Sequence, residues 1–375
     1  MKQNYDHVIT SQAIQDVIKG GDKVEEIRIQ YEIKCVGIEI ETTQIGKEIV
    51  KYKFTITKID LSTGLKQSHD FFRRYTHFFW LQNELQNKQI GRIIPSLPEK
   101  QTVYDKDKRK LEFVYFMQKV LSHKKLQSMD CIERFFSKEL SEYDNFEHYV
   151  DSMKESQSMI NKFINTGIQF KNMFTKVYNY NSVQIIPRIP DENDKQFEEF
   201  KKDLELNKLS TEMITQDLQK IVQKLQIQAR SLQNSCDLFM NECQGIKEFI
   251  TLKTIIKIYE TYEIKLRQKY IYRMEASIKD YDQAIKLIIL NRDLKDQINK
   301  DTQLINNPNY RSQIDELKMQ ISSNRQKVEQ LNFNFLDDIN LFKEQQIECL
   351  KEVQHQFYLD LQECYESIKQ QKIDQ

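Results

Sequence analysis

Two hydrophobic rhythms divide the first 140 residues. From Ile27 to Thr42 β-branched and aromatic positions alternate with polar ones, and Val50, Tyr52, Phe54 and Ile56 repeat the alternation within Ile49–Ile59. It resumes in Leu65–Arg73, after the turn residues Leu61 to Gly64. A period of two sends successive side chains to opposite faces of a sheet, so the pattern predicts three strands in an antiparallel meander. At Tyr75 the spacing lengthens: Phe78, Leu81 and Leu85 stand three and four residues apart, one face of a helix. A second helix is expected over Lys108–Ser122, with Phe113, Phe116, Met117, Val120 and Leu121 inward. Together these elements predict a small α+β domain of about 115 residues.

After Pro190 the rhythm is helical throughout, and only Gly245 and Pro308 interrupt it. Phe197 to about Cys243 aligns Phe200, Leu204, Met213, Ile214, Leu218, Ile221, Leu225, Leu232 and Phe239 near one stripe. Thr251–Ile305 continues with Ile255, Ile258, Tyr262, Leu266, Met274, Ile278, Tyr281, Ile285 and Ile288. Asn306–Asn309 forces a turn around Pro308, and Ile314 to Ile368 marks a last helix through Leu331, Phe335, Phe342, Val353 and Phe357. At 1.5 Å per residue these helices are roughly 70–90 Å long. They cannot bury their stripes alone, so an antiparallel three-helix coiled coil is expected, with surplus apolar surface for self-association.

Composition supports this division. The 8 glycines and 5 prolines of 375 residues compare with roughly 26 and 19 at average usage. Folds built from many tight turns need more of both. Overall charge is zero, which implies no general attraction to nucleic acid. Residues 1–140 carry 24 basic and 19 acidic side chains, however, and the rest carry 32 and 37. The longest purely apolar run, Phe113–Met117, is far short of the ~20 residues that span a bilayer. The N-terminus lacks an apolar signal core, so any membrane is expected to be met from the cytosolic side. The six cysteines form no Cys-x-x-Cys pair and are read as packed, reduced thiols.

The chemistry concentrates in Phe71-Phe72-Arg73-Arg74-Tyr75-Thr76-His77, where a predicted strand meets a predicted helix. Arginine offers a phosphate two parallel N–H donors, and tyrosine offers a sugar ring a flat face. Ile94-Pro95-Ser96-Leu97-Pro98-Glu99-Lys100 follows as a stiff arm ending in a cation. Arg109 then opens a helix, an unfavourable end for a cation unless an anion lies nearby. No catalytic constellation, glycine-rich phosphate loop or metal-binding histidine pair is found, and no enzyme, cofactor or metal is expected.

In their order, these elements resemble the phosphoinositide-binding site of the phox-homology (PX) domain, over roughly residues 25–140. The resemblance implies that Arg74 grips a 3-phosphate, Tyr75 stacks under the inositol ring, Lys100 meets the 1-phosphate and Arg109 the 4- and 5-hydroxyls. It makes Arg73 a supporting charge. The ligand it implies is phosphatidylinositol 3-phosphate. The Lys100–Arg109 segment is short for the family's membrane loop and leaves Val103 and Tyr104 as insertion candidates.

A PX domain followed by three long helices is similar to the sorting nexins that carry a BAR domain. The expected organisation is a tail (1–24), a PX domain (25–140), a linker (141–190) and a BAR-like helical domain (191–375). The linker holds an amphipathic stretch including Phe163, Phe170 and Phe174, which either enters the membrane interface or packs between the domains. Lys265, Lys269, Arg273, Arg292, Lys295 and Lys300 are candidates for a membrane-facing surface. The resemblance implies a peripheral protein on the cytosolic face of endosomes. It would be a homodimer, or a heterodimer with another BAR-type sorting nexin, sensing or generating curvature, with a possible cargo or coat complex as partner and no nucleic acid. The rival reading is a PX-targeted coiled-coil scaffold or tether.

Overall fold

The computed structural model describes residues 29–42, 48–98, 105–137, 185–240 and 246–373. The expected tail, most of the linker with its Phe163, Phe170 and Phe174, and the residues Lys100, Val103 and Tyr104 lie outside them. Three strands, β1 (Ile29–Thr42), β2 (Glu48–Asp60) and β3 (Lys66–Arg73), pair antiparallel in sequence order. The β2–β3 turn closes because the Asp60 carboxylate accepts the Ser62 and Thr63 amide hydrogens, while Gly64 takes a positive φ of 69°. One face of the sheet buries Ile33, Tyr52, Phe54, Ile56 and Phe71. The other pairs Thr55 with Asp70 and Thr57 with Ser68 in water.

Helices α1 (Tyr75–Lys88) and α2 (Lys106–Ser122) cover the apolar face. Phe78 and Phe113 stack at its centre with ring centroids 3.9 Å apart. The five residues expected to point inward from α2 are all buried. Two short helices unmarked by periodicity, α3 (Lys124–Gln127) and α4 (Asp130–Phe136), add Leu126, Ile132, Phe135 and Phe136 to the same core.

The C-terminal region is helical as expected: α5 (Glu192–Met240), α6 (Ile246–Leu266), α7 (Tyr272–Ile305) and α8 (Ile314–Ile373), packed on one another. Among the described stripe positions one differs. Met213 is 60% exposed, and the buried register of α5 runs instead through Thr211 and Thr215. Their hydroxyls donate to the carbonyls of Asn207 and Thr211 one turn back, which allows a polar residue into an apolar seam.

Between α6 and α7 the helix makes one π turn, Arg267–Ile271. Such a turn displaces carbonyls from the regular ladder. The Tyr115 hydroxyl of α2 lies 3.2 and 3.3 Å from two of them, on Gln268 and Lys269, and burial pushes its pKa up to about 12. The α+β domain therefore docks against this irregularity.

The expected basic surface is corrected at Lys265, Lys269, Arg273 and Lys295. Lys265 and Lys269 pair with Asp360, and Arg273 with Glu352, all across the α8 seam. Lys295 is buried against Asp191 and Asp194, and Arg292 faces Glu198. Lys265, Lys269, Arg273 and Lys295 are thereby engaged within the helical region, because a charge at a seam position costs less when it meets a carboxylate than when it is buried alone, whereas Arg292 stays half exposed.

The two regions meet across a charged joint. Arg92 reaches Asp337 and Asp338, Lys125 reaches Asp337, His123 reaches Asp338, Lys119 reaches Asp280 and Lys108 reaches Glu275. In these pairs the α+β domain supplies Arg92, Lys108, Lys119, Lys125 and the His123 ring and the helices supply the carboxylates, while Lys279 and Glu112 form one contact of the opposite sense at 4.0 Å. Burial works against the charge of Asp337, but Lys125 and Arg92 hold its carboxyl below the usual range. Gly91 brings the backbones together: at its φ of 90° a Cβ would lie 2.4 Å from Leu331 Cα. Gly91→Ala is therefore expected to cost about 2–4 kcal/mol of stability. Calorimetry of the full chain should read it as a lowered transition that splits in two, and an unchanged single transition would contradict the close approach.

Candidate functional site

The junction between β3 and α1 places three consecutive residues in different roles. Arg73 is 1% exposed, and its guanidinium donates to the carbonyls of Phe72, Phe135 and Ser137. It is sandwiched near the Phe71 and Phe135 rings at 5.0 and 5.3 Å, and burial lowers its pKa to about 10, still protonated near neutral pH. The side chain expected as a supporting charge ties the end of α4 to the sheet.

Arg74 is the residue before α1, extended at φ −98°, ψ 166°, and half-buried. Its amide hydrogen is accepted by His77 Nδ1 at 3.2 Å, so the first turn of α1 is capped by an imidazole. Burial, then Arg73, Arg74 and Lys51, push the His77 pKa down to about 3, leaving the ring neutral and able to accept.

Tyr75 starts α1 and donates its hydroxyl to the Pro98 carbonyl at 2.9 Å. Its ring stacks against Phe79, and the Arg109 guanidinium lies 5.1 Å from its centroid. Arg109 belongs to the first turn of α2, whose N-cap is Asp105; the Asp105 carboxylate accepts the amide hydrogens of Asp107 and Lys108. Arg109 is only 4% exposed. A guanidinium over an aromatic face with little water around it offers a concentrated positive field. The fold thus brings Arg74, Tyr75 and Arg109 to one end of α1 and α2. The Pro95–Pro98 arm is fastened there twice, by the Tyr75 hydroxyl and by Gln82 Nε2 on the Pro95 carbonyl at 2.9 Å.

Sequence reading passed over the joint residues, although one signal was present. Asp338 stands three residues after Phe335 and four before Phe342, both core positions. A carboxylate in that register requires a buried partner.

The PX domain family model matches residues 61–139. Sorting nexin-33 of Xenopus laevis is 34% identical over 113 residues, covering 28% of this chain and 18% of that protein. The human sorting nexin-33 is 30% identical over 118 residues, 29% of this chain and 18% of that one. The chain therefore spans less than a fifth of the length of these curated relatives. Among solved structures, that of the SNX-BAR Mvp1 tetramer by cryo-EM is similar with a TM-score of 0.42 and 15% identity, covering 91% of this chain and 98% of that one.

The buried imidazole sets a pH dependence. In the unfolded chain His77 protonates near 6.5, and in the folded chain only near 3. The unfolded state takes up the proton first, so this residue's contribution to stability is complete above pH 6.5 and is lost as pH falls from there toward 3. The slope is about 1.4 kcal/mol per pH unit. His77→Gln keeps an acceptor at the same helical position without the titration. It is expected to reduce the acid-side slope of denaturant-measured stability by that amount, and an unchanged slope would rule out the buried neutral ring.

Proposed function

We propose that this chain, which carries a PX domain on a long helical region in the manner of the PX–BAR sorting nexins, is a non-catalytic peripheral membrane protein that binds phosphatidylinositol 3-phosphate. The observation that carries the reading is the meeting of Tyr75 and Arg109, elements 34 positions apart, beside Arg74 at the start of α1. In it, Arg74 takes the 3-phosphate, Tyr75 underlies the ring, Arg109 meets the ring hydroxyls and Lys100 the 1-phosphate. Among the described residues no helix is long and apolar enough to cross a membrane, so attachment through a headgroup fits the chain.

The helical region supports a second part of the reading, dimerisation. Leu206, Leu209 and Met213 are exposed at three- and four-residue spacing on α5, and Ile227 and Leu238 continue along it. A stripe of that length on one helix is covered most simply by another helical protomer. The proposed dimer, with itself or with another BAR-type sorting nexin, presents two headgroup sites on one body. Weak single affinities then multiply through effective concentration. On this reading the protein works on the cytosolic face of endosomal membranes and follows or generates their curvature.

Vesicle sedimentation tests the lipid claim. Arg74→Ala is expected to weaken binding to vesicles containing phosphatidylinositol 3-phosphate at least tenfold, because a desolvated charge-assisted fork is lost. Arg74→Lys should recover part of it, since it restores the charge without the fork. Equal sedimentation of wild type and Arg74→Ala would reject the assignment.

A further inference from the structure

The residues around the headgroup site are fastened to the helical region as well as to their own domain. The Asp280 carboxylate of α7 is 2% exposed and accepts both the amide and the hydroxyl hydrogens of Ser96, at 2.8 and 3.0 Å, while its other oxygen pairs with Lys119. Ser96 stands two residues before Pro98, whose carbonyl accepts the Tyr75 hydroxyl. One and a half turns earlier on the same helix, Glu275 accepts from Lys108 at 2.7 Å, and the Lys108 ammonium lies 4.8 Å from the Tyr272 ring centroid. Lys108 immediately precedes Arg109. Two chains of contact therefore run from one short stretch of α7 and end on the same ring. One passes through Ser96 and Pro98 to the Tyr75 hydroxyl, the other through Lys108 and Arg109 to the Tyr75 face.

We propose that Asp280 and Glu275 are positioning residues for the phosphoinositide site, so that its affinity is a property of the docked chain rather than of the α+β domain alone. This rests on the reading of Tyr75 and Arg109 as headgroup contacts. The warrant is geometric. A segment with two prolines has few internal hydrogen bonds of its own, so the Asp280 acceptor on Ser96 joins the Gln82 and Tyr75 contacts in fixing where the Pro98 carbonyl stands. By linkage, a headgroup that binds the docked arrangement more tightly also strengthens the docking, and a change along α7 reaches the lipid site by the same route.

Isothermal titration of the full chain with short-chain, water-soluble phosphatidylinositol 3-phosphate separates the possibilities without membrane avidity. Asp280→Ala removes the acceptor for Ser96 and the partner of Lys119 together. Asp280→Asn keeps an oxygen for the Ser96 amide and hydroxyl but loses the charge pairing, its NH2 group facing the Lys119 ammonium. Asp280→Ala is expected to weaken headgroup binding about five- to twentyfold, with Asp280→Asn within about threefold of wild type. Glu275→Ala, at a more open position, should weaken it about three- to tenfold, and carries the test if Asp280→Ala fails to fold.

Equal weakening by Asp280→Ala and Asp280→Asn would assign the effect to the charged joint and overturn the positioning role. Wild-type affinity in the Asp280 and Glu275 variants, with Arg74→Ala inactive, would overturn it while leaving the headgroup site standing. No binding by the wild-type chain would remove the headgroup reading itself, and this inference with it.

Discussion

The architecture depends on one electrostatic constraint, the meeting of a basic face and an acidic face with little water between them. Arg92 and Asp338 are both nearly inaccessible, and neither would tolerate burial alone. A lone charge in a protein interior costs several kcal/mol, whereas a paired one with hydrogen bonds on its remaining atoms roughly breaks even. Asp338 is satisfied further by the Ile93 amide and by His123, and Arg92 by Asp337 and Gln89. What such a network contributes is the rejection of other dockings, since any slide of the two faces strands a charge. Gly91 adds the steric half of the same constraint.

That joint also explains the opposite charge surpluses of the two halves. Four cations of the N-terminal half, Arg92, Lys108, Lys119 and Lys125, are matched to carboxylates of the C-terminal half, so part of the imbalance is consumed inside the molecule. Lys265, Lys269, Arg273 and Lys295 are consumed likewise between helices. A basic residue buried against a carboxylate of the same chain is no longer available to a membrane surface. Spacing along a helix does not carry that information.

Much of the fold was legible in the sequence. The strands and α1 begin and end within a few residues of where alternation and helical spacing put them, because each buries a full row of side chains on one face. The short α3 and α4 were not, since four and seven residues hold too few repeats to show a period. The candidate site divides similarly. Arg74, Tyr75 and Arg109 were marked by residue type and order, and the fold brings them to one place. Arg73 carries the same chemistry as Arg74 on paper, and its engagement with the carbonyls of Phe135 and Ser137 follows from the path of α4, more than sixty residues on.

The amino-acid sequence by itself determined the local elements, the break near Pro190 and the residue types available to an anion, because these depend on neighbours within a few positions. Tertiary structure alone decided which charges are free to act. Ser96 and Asp280 are separated by 184 residues, and Tyr115 and the π turn by more than 150. Contacts at such distances have no period along the chain. They are chosen when two whole surfaces close on each other and each buried polar group takes the partner that the closure offers.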